Sequence, residues 1–174
     1  KVNVVAALLG NPRLGLLGAF EEVARRVEEL VFRLDGVERA YAVAYLYPRL
    51  AIEYASFDKV DKAVELVEES LKALKDLWMA KDKRETEEKL RPYLELGQVK
   101  PDLERALKQL SLYAYYNVAL AYMTVGELNK AVEYAEMVCA LTKDFGYVYN
   151  EVMSCGLASR LKTVSNGVPS VEEF

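Results

Sequence analysis

The chain has 174 residues, 52% of them apolar, with a formal charge of −4 and an isoelectric point near 5.1. That length suits one well-buried domain or a short repeat array, and that apolar content excludes disorder of the whole chain. Acidic and basic residues are interleaved rather than gathered on a basic face, which argues against a nucleic-acid partner, and the complete lack of histidine removes the commonest general acid–base, the commonest zinc ligand and the usual activator of serine or cysteine nucleophiles.

The same lack rules out the Glu-x-x-His element of ferritin-like di-iron sites. The chain is rich in Glu and Lys, has 12 tyrosines, and carries glutamine only at Gln98 and Gln109. Scarce labile amides and abundant ion-pairing residues point to a thermophilic source.

In chain order, Lys1 leaves the native N-terminus open. Val2–Leu9 is an apolar run too short to span a membrane and without the flanks of a signal peptide, so a short buried helix or strand is expected. Asn11-Pro12 is a helix start, and the spacing predicts a helix to about Leu34, with Leu16, Leu17, Phe20, Val23, Ala24, Val27, Leu30, Val31 and Leu34 recurring at three and four. Gly15 and Gly18 weaken its first turns. Val37–Ala55 predicts a second helix, kinked or split at Pro48. Ser56-Phe57-Asp58 is a turn with Asp58 as cap, and the next helix presents Val60, Ala63, Val64, Val67, Leu71, Leu74 and Trp78 as one stripe. Lys81–Arg91 is almost wholly charged and reads as a solvated helix or exposed crossover, interrupted by Pro92, with a short helical piece ending at Gly97. Pro101 opens a helix reaching Val125, Gly126 marks a turn, and helices follow over Leu128–Thr142 and Tyr147–Lys162. From Ser165 to Phe174 a flexible tail is expected, including the acidic Val171-Glu172-Glu173-Phe174 terminus. The fold class is therefore all-α, a single domain over 1–164 with about seven helices, either an α–α superhelix or an irregular helical bundle.

Two cysteines are too few for a metal site of their own. With the turn between the last two helices centred at Asp144 and Phe145, Cys139 and Cys155 lie offset by roughly 7 Å along the helix axes at about 1.5 Å per residue. That offset is marginal for a disulfide, and two buried free thiols are expected.

One pattern occurs twice. Tyr47, Leu50, Ala51, Tyr54 and Ala63 are matched, aromatic for aromatic and alanine for alanine, by Tyr115, Val118, Ala119, Tyr122 and Ala131. The offset (115 − 47 = 68) is twice the roughly 34-residue period of a helical-hairpin repeat. In the later copy the first four residues share a helix face, Gly126 permits a tight turn, and Ala131 lets the returning helix approach closely. The segments Tyr116–Tyr122 and Gly126–Tyr134 resemble the tetratricopeptide repeat. Ala135, Val138 and Lys143 depart from it where an aromatic, Ala and Pro are usual. The earlier copy, over Tyr47–Lys75, has Asp58 in place of the turn glycine. Between the copies the corresponding positions, Lys81, Arg84, Glu85, Glu88 and Gly97, do not fit. Hairpins are expected over about 44–77 and 112–143.

The resemblance implies a non-enzymatic adaptor that binds a protein or peptide segment in a groove lined by the first helices of its hairpins. By that resemblance Tyr113, Tyr116, Asn117, Leu120 and Thr124 line the groove in the later hairpin, and Tyr45, Arg49 and Ile52 in the earlier one. Asn117 stands where family members grip a peptide backbone or carboxylate, but the cationic partners of a carboxylate clamp do not recur here, so the groove is expected to be aromatic. Leu112–Met123 is apolar or aromatic nearly all round, which also suits a core helix. The alternative is a self-associating helical bundle that forms a homodimer through its aromatic surface. No phosphate loop or nucleophile elbow occurs, and paired carboxylates such as Glu68-Glu69 and Glu87-Glu88 sit in exposed charged faces. No catalytic residue, cofactor, metal, nucleic-acid partner or membrane is expected, and the expected location is cytoplasmic.

Overall fold

The computed structural model describes residues 19–94, 102–145 and 148–165. They form seven helices and, among the described residues, no strand: α1 (Ala19–Phe32), α2 (Gly36–Ser56), α3 (Val60–Trp78), α4 (Lys83–Leu94), α5 (Leu103–Thr124), α6 (Leu128–Phe145) and α7 (Val148–Ser165). The all-α expectation holds. The expected N-terminal run, the helix start at Asn11-Pro12, the stop at Gly97 and the C-terminal tail lie outside the described residues. Among the described residues, no helix is long and apolar enough to cross a membrane.

The core is built on two antiparallel hairpins, α2/α3 and α5/α6. The second stacks on the first because α5 packs against both α2 and α3. Helix α1 lies on α2, with the expected residues Phe20, Val23, Ala24, Val27 and Val31 buried. Phe20 meets Tyr54 edge-on at 4.8 Å and stacks on Phe57 at 5.1 Å, which pins α1 to the first hairpin turn. The charged segment between the hairpins becomes α4, capped by Asp82, whose carboxylate accepts from Glu85 N at 2.9 Å. Helix α4 buries only Thr86 and Leu90 and rests against α2 and α5. Helix α4 thus lies to the side, and hairpins 68 residues apart become direct neighbours.

Both hairpins turn in the same way, and the match is at the level of single hydrogen bonds. After α2, Lys59 N donates to Tyr54 O and Asp58 N to Ala55 O, both at 3.0 Å. After α5, Glu127 N donates to Tyr122 O at 2.9 Å and Gly126 N to Met123 O at 3.2 Å. Each pair is a Schellman closure, which requires a left-handed residue just past the helix. Gly126 supplies it at φ +85°, and Asp58 takes the same role at φ +59°. The register extends to side chains: Ser56 Oγ donates to Ile52 O and Thr124 Oγ1 to Leu120 O, each at 2.8 Å and each 68 residues from its counterpart. Of the ten residues in the duplicated pattern, Tyr54 and Tyr115 are half-buried and the other eight are buried.

Several expectations are corrected. Asp58 does not cap α3; it closes α2, and Lys59 precedes α3 with no side-chain cap. Helix α2 is not split at Pro48, which is buried within a continuous helix, and α4 likewise runs through Pro92 to Leu94. Proline removes one intrahelical bond, and in α2 the packing of α1, α3, α4 and α5 around the helix offsets that loss. In α3 the buried set is Ala63, Leu66, Val67, Ser70, Ala73, Leu74 and Leu77. It is rotated from the expected stripe because α3 is held by α2 and α5 together, leaving Val60 exposed. At the far end of α3, Trp78 Nε1 donates to Ser111 Oγ of α5 at 3.0 Å, locking one hairpin to the other.

The expectation of two free thiols is overturned. Cys139 of α6 and Cys155 of α7 form a disulfide with Cα atoms 4.7 Å apart. Helix α6 extends to Phe145 and α7 begins at Val148, so the connection is centred near position 147, the midpoint of 139 and 155. The two cysteines are therefore level across the helix pair rather than offset by roughly 7 Å along it.

The closure geometry sets a paired outcome. Nothing lies within 4 Å of a Cβ placed on Gly126, so Gly126→Ala carries only the conformational cost of a left-handed residue, about 1 kcal/mol. Asp58→Gly relieves the same cost and stabilises by up to about 1 kcal/mol. Urea denaturation of the two variants reads both signs; equal effects at the two positions would contradict the shared closure.

Candidate functional site

The eight residues singled out from the sequence fall on two helical stripes, Tyr45, Arg49 and Ile52 on α2, and Tyr113, Tyr116, Asn117, Leu120 and Thr124 on α5. Spacings of three and four place each set on one face, and the packing of α5 on α2 brings the faces together at their start. The rings of Tyr45 and Tyr113 lie 4.7 Å apart. These two are themselves 68 residues apart, so the contact joins equivalent positions of the two hairpins.

Arg49, one turn beyond Tyr45, pairs with Glu53 at 3.2 Å and lies close enough to Tyr113 to act on its hydroxyl. Burial pushes the Tyr113 phenol up to about 12, with the neighbouring Tyr45 adding to the shift and the Arg49 guanidinium opposing it. Tyr41, one turn before Tyr45, is pushed up to about 12 as well, first by burial and then by Tyr45. Its ring meets that of Tyr45 at 5.9 Å and that of Tyr93 at 5.6 Å.

Tyr93 belongs to α4 and was not anticipated. Its hydroxyl donates to Glu38 Oε1 at 2.8 Å, so α4 covers the early part of the α2 stripe, at Glu38 and Tyr41. A tyrosine inside a charged segment, directly after a proline, was the available signal.

Asn117 departs from its expected role. It is 5% exposed, and its amide donates to Tyr113 O of its own helix at 2.8 Å. Most of its side chain therefore faces the interior of the hairpin stack. The other seven are accessible to different degrees: Tyr45, Arg49, Ile52, Tyr113, Tyr116 and Leu120 are half-buried and Thr124 is exposed. Ile52 and Tyr45 also pack against the core. The question posed by Leu112–Met123 is therefore answered residue by residue: Ala114, Asn117, Val118, Ala119, Ala121 and Tyr122 are core, and Tyr113, Tyr116 and Leu120 are not fully enclosed.

A second aromatic surface lies where α3, α5 and α6 meet. Leu71, Trp78 and Met79 of the α3 end meet Tyr115 of α5 and Tyr134 and Met137 of α6 around a depression of about 340 Å³, with Lys75 at its edge. Met79 is 72% exposed and Met137 39%. Tyr134 stacks on Tyr122 and contacts Tyr115, each with ring centroids 5.8 Å apart, and its phenol is pushed up to about 12 by burial first and by Tyr122 second.

Among the described residues no group of three or more Cys, Asp or Glu side chains is placed to hold a metal ion. No protein-family model matches the chain, and no curated protein and no solved structure matches it either.

The raised phenols carry a consequence for alkaline stability. In the unfolded chain they ionise near 10, whereas Tyr41, Tyr113 and Tyr134 in the fold stay neutral to about 12. Protons are then lost from the unfolded state first, so stability is fully present below pH 10 and falls as pH rises toward 12. Ultraviolet difference titration should show a late group of tyrosines ionising together with unfolding; a single transition near 10 with the helix content intact would contradict this burial.

Proposed function

We propose that the chain is a non-enzymatic protein-binding module, an adaptor of tetratricopeptide-like design, that holds a protein or peptide segment along the tyrosine-lined α2–α5 face. The observation that carries this reading is the meeting of the two duplicated stripes at Tyr45 and Tyr113 beside Arg49. Two further features support it. The hairpins close with the same hydrogen bonds in the same register, and α5 packs on both helices of the preceding hairpin, as the first helix of a following repeat would. The contact residues are Tyr45, Arg49, Ile52, Tyr113, Tyr116, Leu120 and Thr124. Aromatic rings and an arginine supply contact area and directional donors at small entropic cost, the chemistry of protein hot spots.

A second reading keeps the fold and changes the partner. The depression between Met79, Trp78 and Met137 would seat a second copy of the chain in a homodimer, since exposed apolar patches mark interaction surfaces.

The location we propose is the cytoplasm of a thermophilic organism. Cytoplasmic disulfides are rare in mesophiles but common in hyperthermophiles, so Cys139–Cys155 and the Glu- and Lys-rich, glutamine-poor composition fit one source.

Crosslinking of the purified chain to proteins of its native extract, read by mass spectrometry, tests the adaptor reading against the dimer. Tyr116→Ala and Thr124→Arg change the α2–α5 face without removing core residues, so each should cut heterologous crosslinks by about tenfold or more, a loss near 1.4 kcal/mol, with the melting temperature unchanged. Crosslinks unaffected by either variant would reject the α2–α5 face. Light scattering that shows a dimer dispersed by Met79→Lys would favour the second reading.

A further inference from the structure

Helix α7 is held differently from the other helices. Its main packing partner is α6, and the described ties all run to that helix: the Cys155–Cys139 disulfide, the Lys162–Glu136 ion pair, and Ser165 Oγ donating to Asn129 Oδ1 at 2.7 Å. Its apolar residues are spread around the helix rather than gathered into a stripe, and Gly156 sits beside the bonded cysteine. Ala158 and Leu161 are buried, but an ion pair and one exposed hydrogen bond add little. The covalent bond is the one tie to α6 that a reductant can cut.

That bond is also reachable. Cys139 and Cys155 are both half-buried, and both line an open depression of about 430 Å³ that is lined also by Lys143 and by the paired Lys162 and Glu136. A nearby cation such as Lys143 favours the thiolate and so favours sulfur as a leaving group. Structural disulfides that resist reduction are sheltered, whereas exposed ones are the labile class.

We propose that Cys139–Cys155 is a thiol-exchange site, at which a dithiol reductant unlocks α7 from α6 and uncovers the apolar seam at Ala158 and Leu161. A thiolate of the reductant attacks one sulfur, the Cys139–Cys155 bond breaks, and the departing sulfur leaves as a thiolate that takes up a proton. The second thiol of the reductant then attacks the mixed disulfide, forming the reductant's own disulfide and freeing the other cysteine. The protein gains two electrons and two protons, and the reductant loses them. The remainder of the fold does not depend on the bond, because the stacked hairpins and α1 are joined through α2, α3 and α5.

Hydrogen exchange resolved along the intact chain tests this, with dithiothreitol as the reductant and alkylation followed by mass measurement to count free thiols. Under native conditions dithiothreitol should expose two alkylatable thiols, and α7 amides should exchange about a hundredfold faster, the factor expected from opening a loop of this size. Amides of α2, α3 and α5 should keep their protection. The Cys139→Ser, Cys155→Ser double variant should show the same α7 exchange without reductant. The proposal is overturned if the bond is reduced only in denaturant, if α7 protection is equal in the oxidised, reduced and double-variant chains, or if the double variant loses protection throughout, which would make the bond a staple of the whole fold.

Discussion

The left-handed residue that closes each hairpin is the constraint from which the rest of the architecture follows. Asp58 and Gly126 each end a helix with the same pair of crossing hydrogen bonds, and a chain reversed in that way has little choice in where the returning helix begins. In both hairpins the fifth residue past the closing one is an alanine, Ala63 or Ala131, and both are fully buried. A small side chain there lets the two helices of a hairpin approach closely, while Ala51 and Ala119 do the same on the outgoing helices. The closure sets the register, and the alanines make that register packable.

Once two hairpins share a register, their outward stripes share it too. Tyr45 and Tyr113, Arg49 and Asn117, and Ile52 and Leu120 are equivalent pairs. The face between α2 and α5 is therefore built from equivalent positions, alike at Tyr45 and Tyr113 and unlike at Arg49 and Asn117, where the first hairpin has a cation and the second a residue turned inward. Helix α4 adds asymmetry by placing Tyr93 against Tyr41 and Glu38. A surface of this kind is ring-rich and carries charge at Arg49. The disulfide joins α6 to α7, beside an ion pair and the buried residues Ala158 and Leu161.

Much of this was legible in the sequence because the pattern of rings and alanines reflects packing directly. Helix order, both hairpins and the buried stripe of α1 follow from apolar spacing at three and four. What escaped has specific physical causes. Asp58 was read as a cap because aspartate often caps helices, yet it is also one of the few residues that tolerate the left-handed region. The disulfide was discounted because the α6–α7 connection was placed two to three residues too early, and a small error in a turn centre becomes several ångströms along two antiparallel helices. Pro48 misled because a helix packed on several sides absorbs the loss of one hydrogen bond. Asn117 is largely buried because its amide nitrogen bonds back to Tyr113 O of its own helix, which its polarity in the sequence does not reveal. Tyr93 lay in a segment whose charge concealed its packing role.

The central claim is that the two hairpins dock directly, with the equivalent tyrosines Tyr45 and Tyr113 in contact. A double-mutant cycle on Tyr45→Ala and Tyr113→Ala, read by chemical denaturation, tests it most directly. The docked arrangement predicts a coupling energy of about 0.5–1.5 kcal/mol between the two rings. Additive effects, with no coupling beyond error, would mean that the faces do not meet and would contradict the account.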